Sequence, residues 1–162
     1  MTACLIHDVV PLGSLVEYSD GTPQPPARFT RKLAAWKQSN GRGRLVEKQP
    51  PQVRPNYTFP PSFTLHVGDF GERGTIVLTI RRTFNLDSAL RFRVIERPRA
   101  GQARVVQDSR GGIELLHLAE DRAAAEAWLA TSGYSRGRIE EVTAQDATTE
   151  EIGAAAAGGD TA

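Results

Sequence analysis

The densest cluster of chemically similar side chains in this sequence is a group of basic residues. Residues 22–55 carry eight basic and one acidic side chain, a balance of +7 within 34 residues. The cations offered to an anion there are Arg28, Arg31, Lys32, Lys37, Arg42 and Arg44. Clustered cations bind anionic polymers by releasing condensed counterions, and guanidinium groups form paired hydrogen bonds with phosphate or carboxylate. The segment is therefore a candidate anion- or nucleic-acid-binding site. Its simpler interpretation is a solvated helix face that keeps the chain soluble.

Two further arginines lie on one face of a predicted strand. Arg91 and Arg93 alternate with Leu90, Phe92 and Val94. Because successive side chains of a strand point to opposite faces, both arginines lie opposite the apolar set. RNA-binding sheets stack bases on exposed aromatic side chains, whereas Phe92 shares the apolar face here. We therefore expect Arg91 and Arg93 to extend the cationic site rather than to form a separate RNA-binding sheet.

Catalytic and metal-binding patterns are weak by comparison. Residues 133–137 match G-x-S-x-G, but that motif needs a strand before the serine and a histidine after it. Here a helix is predicted before it, and His117 is the last histidine in the chain. Residues 69–71 spell the kinase letters D-F-G in what we predict to be a hairpin loop, without the rest of that motif set. His7 and His66 lie far apart and fit no zinc spacing, so the sequence predicts no catalytic residue, metal or cofactor.

Composition places the chain among globular proteins. It has 162 residues, of which 40% are hydrophobic and 24% charged. We expect one globular domain over residues 1–142. Residues 143–162 are acidic and rich in Ala and Gly, with Ile152 as their single large apolar residue, so we expect a disordered tail.

The sequence also favours a cytoplasmic protein. Cys4 is the single cysteine, so no disulfide can form within the chain. The first ten residues lack the basic start of a signal peptide, and no apolar run approaches the 18 residues of a membrane span. We therefore expect no membrane contact.

The spacing of apolar residues predicts an α+β fold. It consists of an antiparallel sheet of about five to seven strands with two helices packed against it. The predicted helices span 27–39 and 120–130, the second ending at Gly133. The predicted strands span 4–10, 14–18, 62–67, 75–80 and 90–94, with weaker candidates at 45–46, 104–106, 113–118 and 138–142. Residues 48–61 contain five prolines and predict an extended connector without regular structure.

The same periodicity predicts the core. We expect it to contain Phe29, Leu33, Trp36, Phe63, Leu65, Val67, Ile76, Leu78, Ile80, Leu90, Phe92, Val94, Leu115, Trp128 and Leu129.

Three functions are compatible with these patterns. The first is a non-catalytic protein–protein module, such as an adaptor, inhibitor or assembly factor with an unknown protein partner. The second is a nucleic-acid-associated protein that binds DNA or RNA through residues 22–55. The third is an enzyme of unrecognised type, whose residues converge only in space. The acidic tail also permits self-masking, in which the tail competes with other anions for the cationic surface. Deletion of residues 144–162 is therefore expected to strengthen anion binding.

Overall fold

A computed structural model describes residues 1–148 of the chain as an α+β fold built on an antiparallel sheet. Its helices are α1 (Ala3–Val9), α2 (Thr30–Ser39), α3 (Arg122–Ser132) and α4 (Ala144–Ala147). Its strands are β1 (Leu15–Ser19), β2 (Gly41–Gln49), β3 (Gln52–Arg54), β4 (Tyr57–Phe59), β5 (Ser62–Glu72), β6 (Thr75–Asn85), β7 (Arg91–Glu96), β8 (Ala103–Ser109), β9 (Gly112–Ala119) and β10 (Arg138–Glu141). The α+β class is confirmed. Within the described residues the main sheet has eight strands rather than five to seven, and there are four helices rather than two.

Strand β2 is the branch point of the main sheet. Arg44 of β2 lies opposite Leu15 of β1 and also opposite His66 of β5, so β1 and β5 occupy its two edges. Further along β2, Lys48 pairs with Ile113 of β9 on the edge that β1 has left. The order is β10-β8-β9-β2-β1-β7, with β5 added to the other edge of β2 and β6 paired to β5. The branch leaves a gap between two halves of the sheet.

The larger core lies inside the half formed by β6, β5, β2, β1 and β7. Phe63, Phe84 and Phe92 pack with ring centroids 5.3–5.5 Å apart, and Tyr18 lies 5.1 Å from Phe84. Such tilted and edge-on contacts suit the quadrupoles of aromatic rings. Leu65 completes this part of the core, and its burial with that of Phe63 and Phe92 confirms three predicted core positions.

A second core joins α3 to the other half of the sheet. Ala125 of α3 packs against Ala103, Val105 and Ala119, with Trp128 and other half-buried residues around them. Gly133 ends α3 with a φ of 76°, the left-handed conformation that favours glycine, which confirms the predicted helix end.

The first element is a helix, not the strand predicted over residues 4–10. Ala3, Ile6 and Val10 are fully buried, and their spacing of three and four residues is that of one helix face. Thr2 caps the start of α1 by accepting a hydrogen bond from the backbone N–H of Leu5. The short apolar run fits both the two-residue period of a strand and the 3.6-residue period of a helix. It folds as a helix because the helix packs its apolar face against β5 and β7.

Helix α2 begins later than predicted and lies outside the core. It contains no buried residue, Leu33 and Trp36 are half-buried, and Phe29 is 42% exposed. The prediction that Phe29 belongs to the core is therefore wrong. The predicted apolar stripe of Leu33 and Trp36 is present, but it packs only against the edge of the sheet and is half-buried there.

Residues 48–61 contain regular structure despite their prolines. β3 and β4 form a separate antiparallel hairpin in which Val53 lies opposite Thr58. The prolines lie outside the two strands, where their missing N–H groups remove no ladder hydrogen bond. The prediction of an extended connector was wrong for this part.

The β5–β6 hairpin is longer than predicted. The D-F-G letters lie within β5, and the turn falls at Arg73 and Gly74, both with positive φ (54° and 82°). Two such residues are typical of the tight turns that join antiparallel strands. Ile76 and Leu78 are 62% and 56% exposed, so their predicted place in the core was wrong.

The start of the predicted tail is folded in part. Thr143 and Asp146 form a reciprocal capping box at the start of α4. Asp146 also forms an ion pair with Arg104, in which Nη2 of Arg104 lies 2.9 Å from Oδ2 of Asp146. Residues 149–162, which make up most of the predicted tail, lie outside the described residues, and so does the predicted self-masking by that tail. Within the described part of the chain, no helix is long and apolar enough to cross a membrane.

Candidate functional site

Helix α2 presents the strongest cluster of free positive charge. Arg28, Arg31, Lys32 and Lys37 are all exposed, and we call them the basic helix surface. Among residues 1–148, none of the four takes part in an ion pair. Arg28 lies just before α2, whereas Arg31, Lys32 and Lys37 lie on it. Arg31 and Lys32 are neighbours, and Lys37 lies about 140° around the helix from Lys32.

Phe29 lies among these cations at the start of α2. The guanidinium carbon of Arg28 is 4.8 Å from the centroid of its ring, and the ammonium of Lys32 is 5.3 Å from it. Cations at these distances are attracted by the negative face of an aromatic ring. The exposed Phe29 therefore holds two of the four charges in place.

Polar contacts, rather than apolar packing, attach α2 to the sheet. The indole Nε1 of Trp36 donates to the carbonyl of Thr22 at 3.0 Å, and Nη1 of Arg82 donates to the carbonyl of Gln38. Asn40 follows the helix and is buried. Its Nδ2 donates to the carbonyl of Trp36 at 3.0 Å, which satisfies one of the free carbonyls at the helix end.

A row of charges crosses the neighbouring strands. Glu17 of β1 lies opposite Arg42 of β2 on one side and opposite Arg93 of β7 on the other. Nε and Nη2 of Arg93 donate to Oε2 of Glu17 at 3.0 and 2.7 Å. The predicted site residue Arg93 thus already has an anionic partner. Arg42 and Arg91 are exposed and lie next to this pair, so they can extend the basic helix surface.

Arg44 is separated from that surface. It is half-buried, and its Nη1 donates to the carbonyl of Gly13 at 2.5 Å. It lines a cleft of about 480 Å³ at the branch of the sheet, together with side chains of β5, β6 and β9. The eight predicted site residues therefore fall into three groups: the basic helix surface, the row that holds Arg42, Arg91 and Arg93, and Arg44 alone.

One wall of this cleft carries a hydrogen-bonded trio. Oδ1 of Asp69 accepts from the hydroxyl of Thr79 at 2.8 Å and lies 2.9 Å from Nε2 of His66. The bond from His66 is the main reason that the pKa of Asp69 lies below its usual value, and the bond from Thr79 adds to it. Beside the trio, Nη1 of Arg81 lies 2.6 Å from Oε1 of Glu114.

The other wall is aromatic. The ring of His117 stacks on Trp128 with centroids 4.7 Å apart and planes only 5° apart. The ring of Tyr134 also stacks on Trp128, with centroids 5.7 Å apart. Burial lowers the pKa of His117, because it disfavours the charged imidazolium. Among the described residues that line the cleft there is neither serine nor cysteine. No group of three metal-ligating side chains occurs within residues 1–148. The lining can hydrogen-bond a polar ligand through His66, Thr79 and Arg81.

A family model matches residues 1–146 under the description "Uncharacterised conserved protein UCP036055". The chain belongs to this family. No curated protein and no solved structure matches it. The match covers nearly the whole of the described chain.

The sequence predicted the basic helix surface but not which of the cations have an anionic partner. Arg93 is 76 residues from Glu17, and only the pairing of β1 with β7 brings them together. The trio in the cleft depends in the same way on the register of β5 against β6, where Asp69 lies opposite Thr79. The alternating pattern predicted those strands, but register also depends on the turn, and Asp69, predicted to lie in the loop, is part of β5.

Proposed function

We propose that the protein is a non-catalytic binding module that holds an acidic protein partner on the basic helix surface. The observation that carries the proposal is that α2 and Arg28 just before it expose four cations without an ionic partner in the described residues, while α2 contains no buried residue. A helix is normally stabilised by burying one face, and short helices are marginal without it. A partner that covers α2 supplies both the missing burial and the missing negative charge.

Phe29 fits such a partner. Interfaces are enriched in aromatic and arginine side chains, which form their energetic centres. The exposed ring with Arg28 beside it has this character, and carboxylates around it would pair with Arg28, Arg31 and Lys32. Guanidinium groups form two parallel hydrogen bonds with a carboxylate, which adds directional specificity to the attraction.

Nucleic acid is the alternative occupant, and the geometry favours it less. Single-strand binding relies on aromatic faces that are free to stack on bases. Two cations already lie over the ring of Phe29. Arg93 is engaged by Glu17 and Arg44 faces the cleft, so fewer of the eight predicted site residues are free than the sequence suggests. We propose the cytoplasm as the compartment, since exposed Cys4 is stable as a thiol in a reducing environment.

Fluorescence anisotropy with the full chain tests this proposal. The probes are a labelled 20-residue glutamate-rich peptide and single- and double-stranded DNA and RNA of 20 nucleotides or base pairs, each in 50 and 200 mM NaCl. The variant carries Arg28→Glu, Arg31→Glu and Lys32→Glu. The matched control carries Arg54→Glu, Arg99→Glu and Arg136→Glu, exposed arginines elsewhere, which change the net charge by the same amount.

We expect the α2 variant to bind the acidic peptide about tenfold or more weakly, because three favourable charge contacts become repulsive. The control is expected to stay within about twofold, since its charges lie elsewhere. Equal losses in the two variants would show that only net charge matters and would overturn the site. Tighter binding of any nucleic acid than of the peptide in 200 mM NaCl would replace the protein partner with a nucleic acid.

A further inference from the structure

The outer part of the β5–β6 hairpin stands apart from the rest of the sheet. The pairing of β5 with β2 ends where Arg44 meets His66, and beyond that point β5 pairs with no strand but β6 within the described residues. We call residues 67–80 the arm. In the described part of the chain β6 pairs with no strand other than β5, so its outer edge has no strand partner.

The arm exposes apolar side chains in register. Phe70 and Leu78 lie directly opposite each other and are 59% and 56% exposed. Ile80 is half-buried and lies two residues from Leu78, which places it on the same face. This face continues the one on which Phe63 and Phe84 form the core, so the core surface runs outward into solvent.

The open edge has the composition that native proteins usually avoid. Residues 75–80 read T-I-V-L-T-I, without charge, proline or glycine. Long apolar edge strands present unpaired N–H and C=O groups and pair readily with other chains, and proteins commonly protect them with lysine, proline or a bulge. The nearest charges on β6 are Arg81 and Arg82, at the inner end of the arm. The pairing with β5 shifts register between Phe70 and Gly71, which leaves Val77 as a bulge in β6. Residues 78–80, on the inner side of this bulge, carry neither a charge nor a proline.

We propose that β6 pairs antiparallel with β6 of a second copy of this chain, about a two-fold axis at Thr79. In this register Leu78 of one copy lies opposite Ile80 of the other, and Thr79 lies opposite its own equivalent. Apolar and Thr–Thr cross-strand pairs are favourable, and directly opposed residues share one face. Arg81 and Arg82 stay clear of their equivalents, whereas a register centred on Arg81 would place like charges together.

A second copy is the occupant that the strand itself favours. A two-fold interface must be self-complementary, and β6 meets this condition through its uncharged centre and its Leu78–Ile80 pairing. The paired arms would unite two sheets and place Leu78 of each copy beside Ile80 of the other on one face. The inference is independent of the acidic partner. It also places two basic helix surfaces on one assembly, which raises avidity for a partner with repeated acidic sites.

Sedimentation velocity and light scattering on the full chain at 1–200 µM test the pairing. We expect a mass of twice the 17.6 kDa of one chain at the higher concentrations. Thr79→Arg and Thr79→Glu each place like charges at the axis and are expected to be monomeric, whereas their equimolar mixture should recover the dimer. Thr58→Arg, at an exposed threonine of the separate hairpin, should dimerise like wild type.

Cross-linking is a second test that does not depend on charge. With Cys4→Ser as background, Thr79→Cys should form an intermolecular disulfide on mild oxidation, because the two cysteines would face each other at the axis. Val53→Cys, exposed on β3, should not. A wild-type monomer at 200 µM, dimeric Thr79→Arg, a mixture that stays monomeric, or equal cross-linking at positions 53 and 79 would each overturn the proposed pairing.

Discussion

Nδ2 of Asn40 donates to Oδ1 of Asp20 at 3.0 Å, and this bond joins the end of α2 to the end of β1. Oδ1 of the same Asn40 amide accepts from the hydroxyl of Ser19 at 2.6 Å. Asp20 also accepts from the backbone and hydroxyl of Thr22, and these bonds from Thr22 are the main reason its pKa lies below the usual value. The helix that carries the basic surface is thus positioned largely by one buried amide.

Replacing Asn40 with alanine should detach α2 from the sheet. We expect the free energy of unfolding to fall by about 1–3 kcal/mol, because the partners of a buried amide lose their hydrogen bonds. Amide hydrogen exchange in α2 should accelerate more than exchange in α3, and binding of the acidic peptide should weaken. Asn85→Ala, at an exposed asparagine of β6, is the control and should leave all three unchanged. Unaltered exchange in α2 would show that other contacts hold the helix.

Replacing Glu17 with glutamine should strengthen anion binding. The change removes the carboxylate that neutralises Arg93 and lies opposite Arg42. Both partners are largely exposed, so we expect stability to change by less than about 0.5 kcal/mol and affinity for the acidic peptide to rise about two- to threefold. Anisotropy in 50 mM NaCl measures the affinity. Glu126→Gln, which breaks the exposed pair with Arg122 on α3, should leave it unchanged.

Replacing Lys48 with methionine should stabilise the protein near neutral pH. The pKa of Lys48 is lowered from 10.5 to about 8, chiefly because burial disfavours the ammonium; Asp8 opposes the shift and Arg104 adds to it. The folded state therefore binds fewer protons than the unfolded state between pH 8 and 10.5, so wild-type stability rises with pH across this window. Below it the full cost of burying the ammonium is present.

Urea unfolding at pH 7 and pH 10 measures this effect. We expect Lys48→Met to gain about 1–2 kcal/mol at pH 7, a value reduced for the partial exposure of the side chain, and to lose most of that gain at pH 10. Lys37→Met, on exposed α2, should show no such pH dependence. A constant difference between the two pH values would indicate improved packing rather than relief of a buried charge.

Two phenylalanines predicted for the core should differ sharply in their contribution to stability. Phe63 is fully buried between Phe84 and Phe92, so Phe63→Ala should cost about 3–5 kcal/mol of unfolding free energy. Phe29→Ala should cost less than about 0.5 kcal/mol, since the ring is 42% exposed. Thermal and urea unfolding of both variants provide the comparison. A large loss at Phe29 would mean that α2 packs more closely than the structure shows.

The local pattern of side chains was enough to determine the α+β class, the strands around Phe63, Leu65 and Phe92, and the end of α3 at Gly133. Those features follow from alternation along a strand and from the left-handed conformation that glycine tolerates. The cationic helix was also evident, because charge and helical spacing are properties of neighbouring residues.

Only the tertiary structure decided which surfaces are covered. Ala3 and Ile6 fold as a helix because they meet the sheet, whereas Phe29 lies outside the core and Ile76 and Leu78 lie on a part of the sheet that no described element covers. Strand pairing likewise placed Glu17 beside Arg93. Periodicity shows that a segment has an apolar face, but the partner of that face depends on contacts between distant parts of the chain.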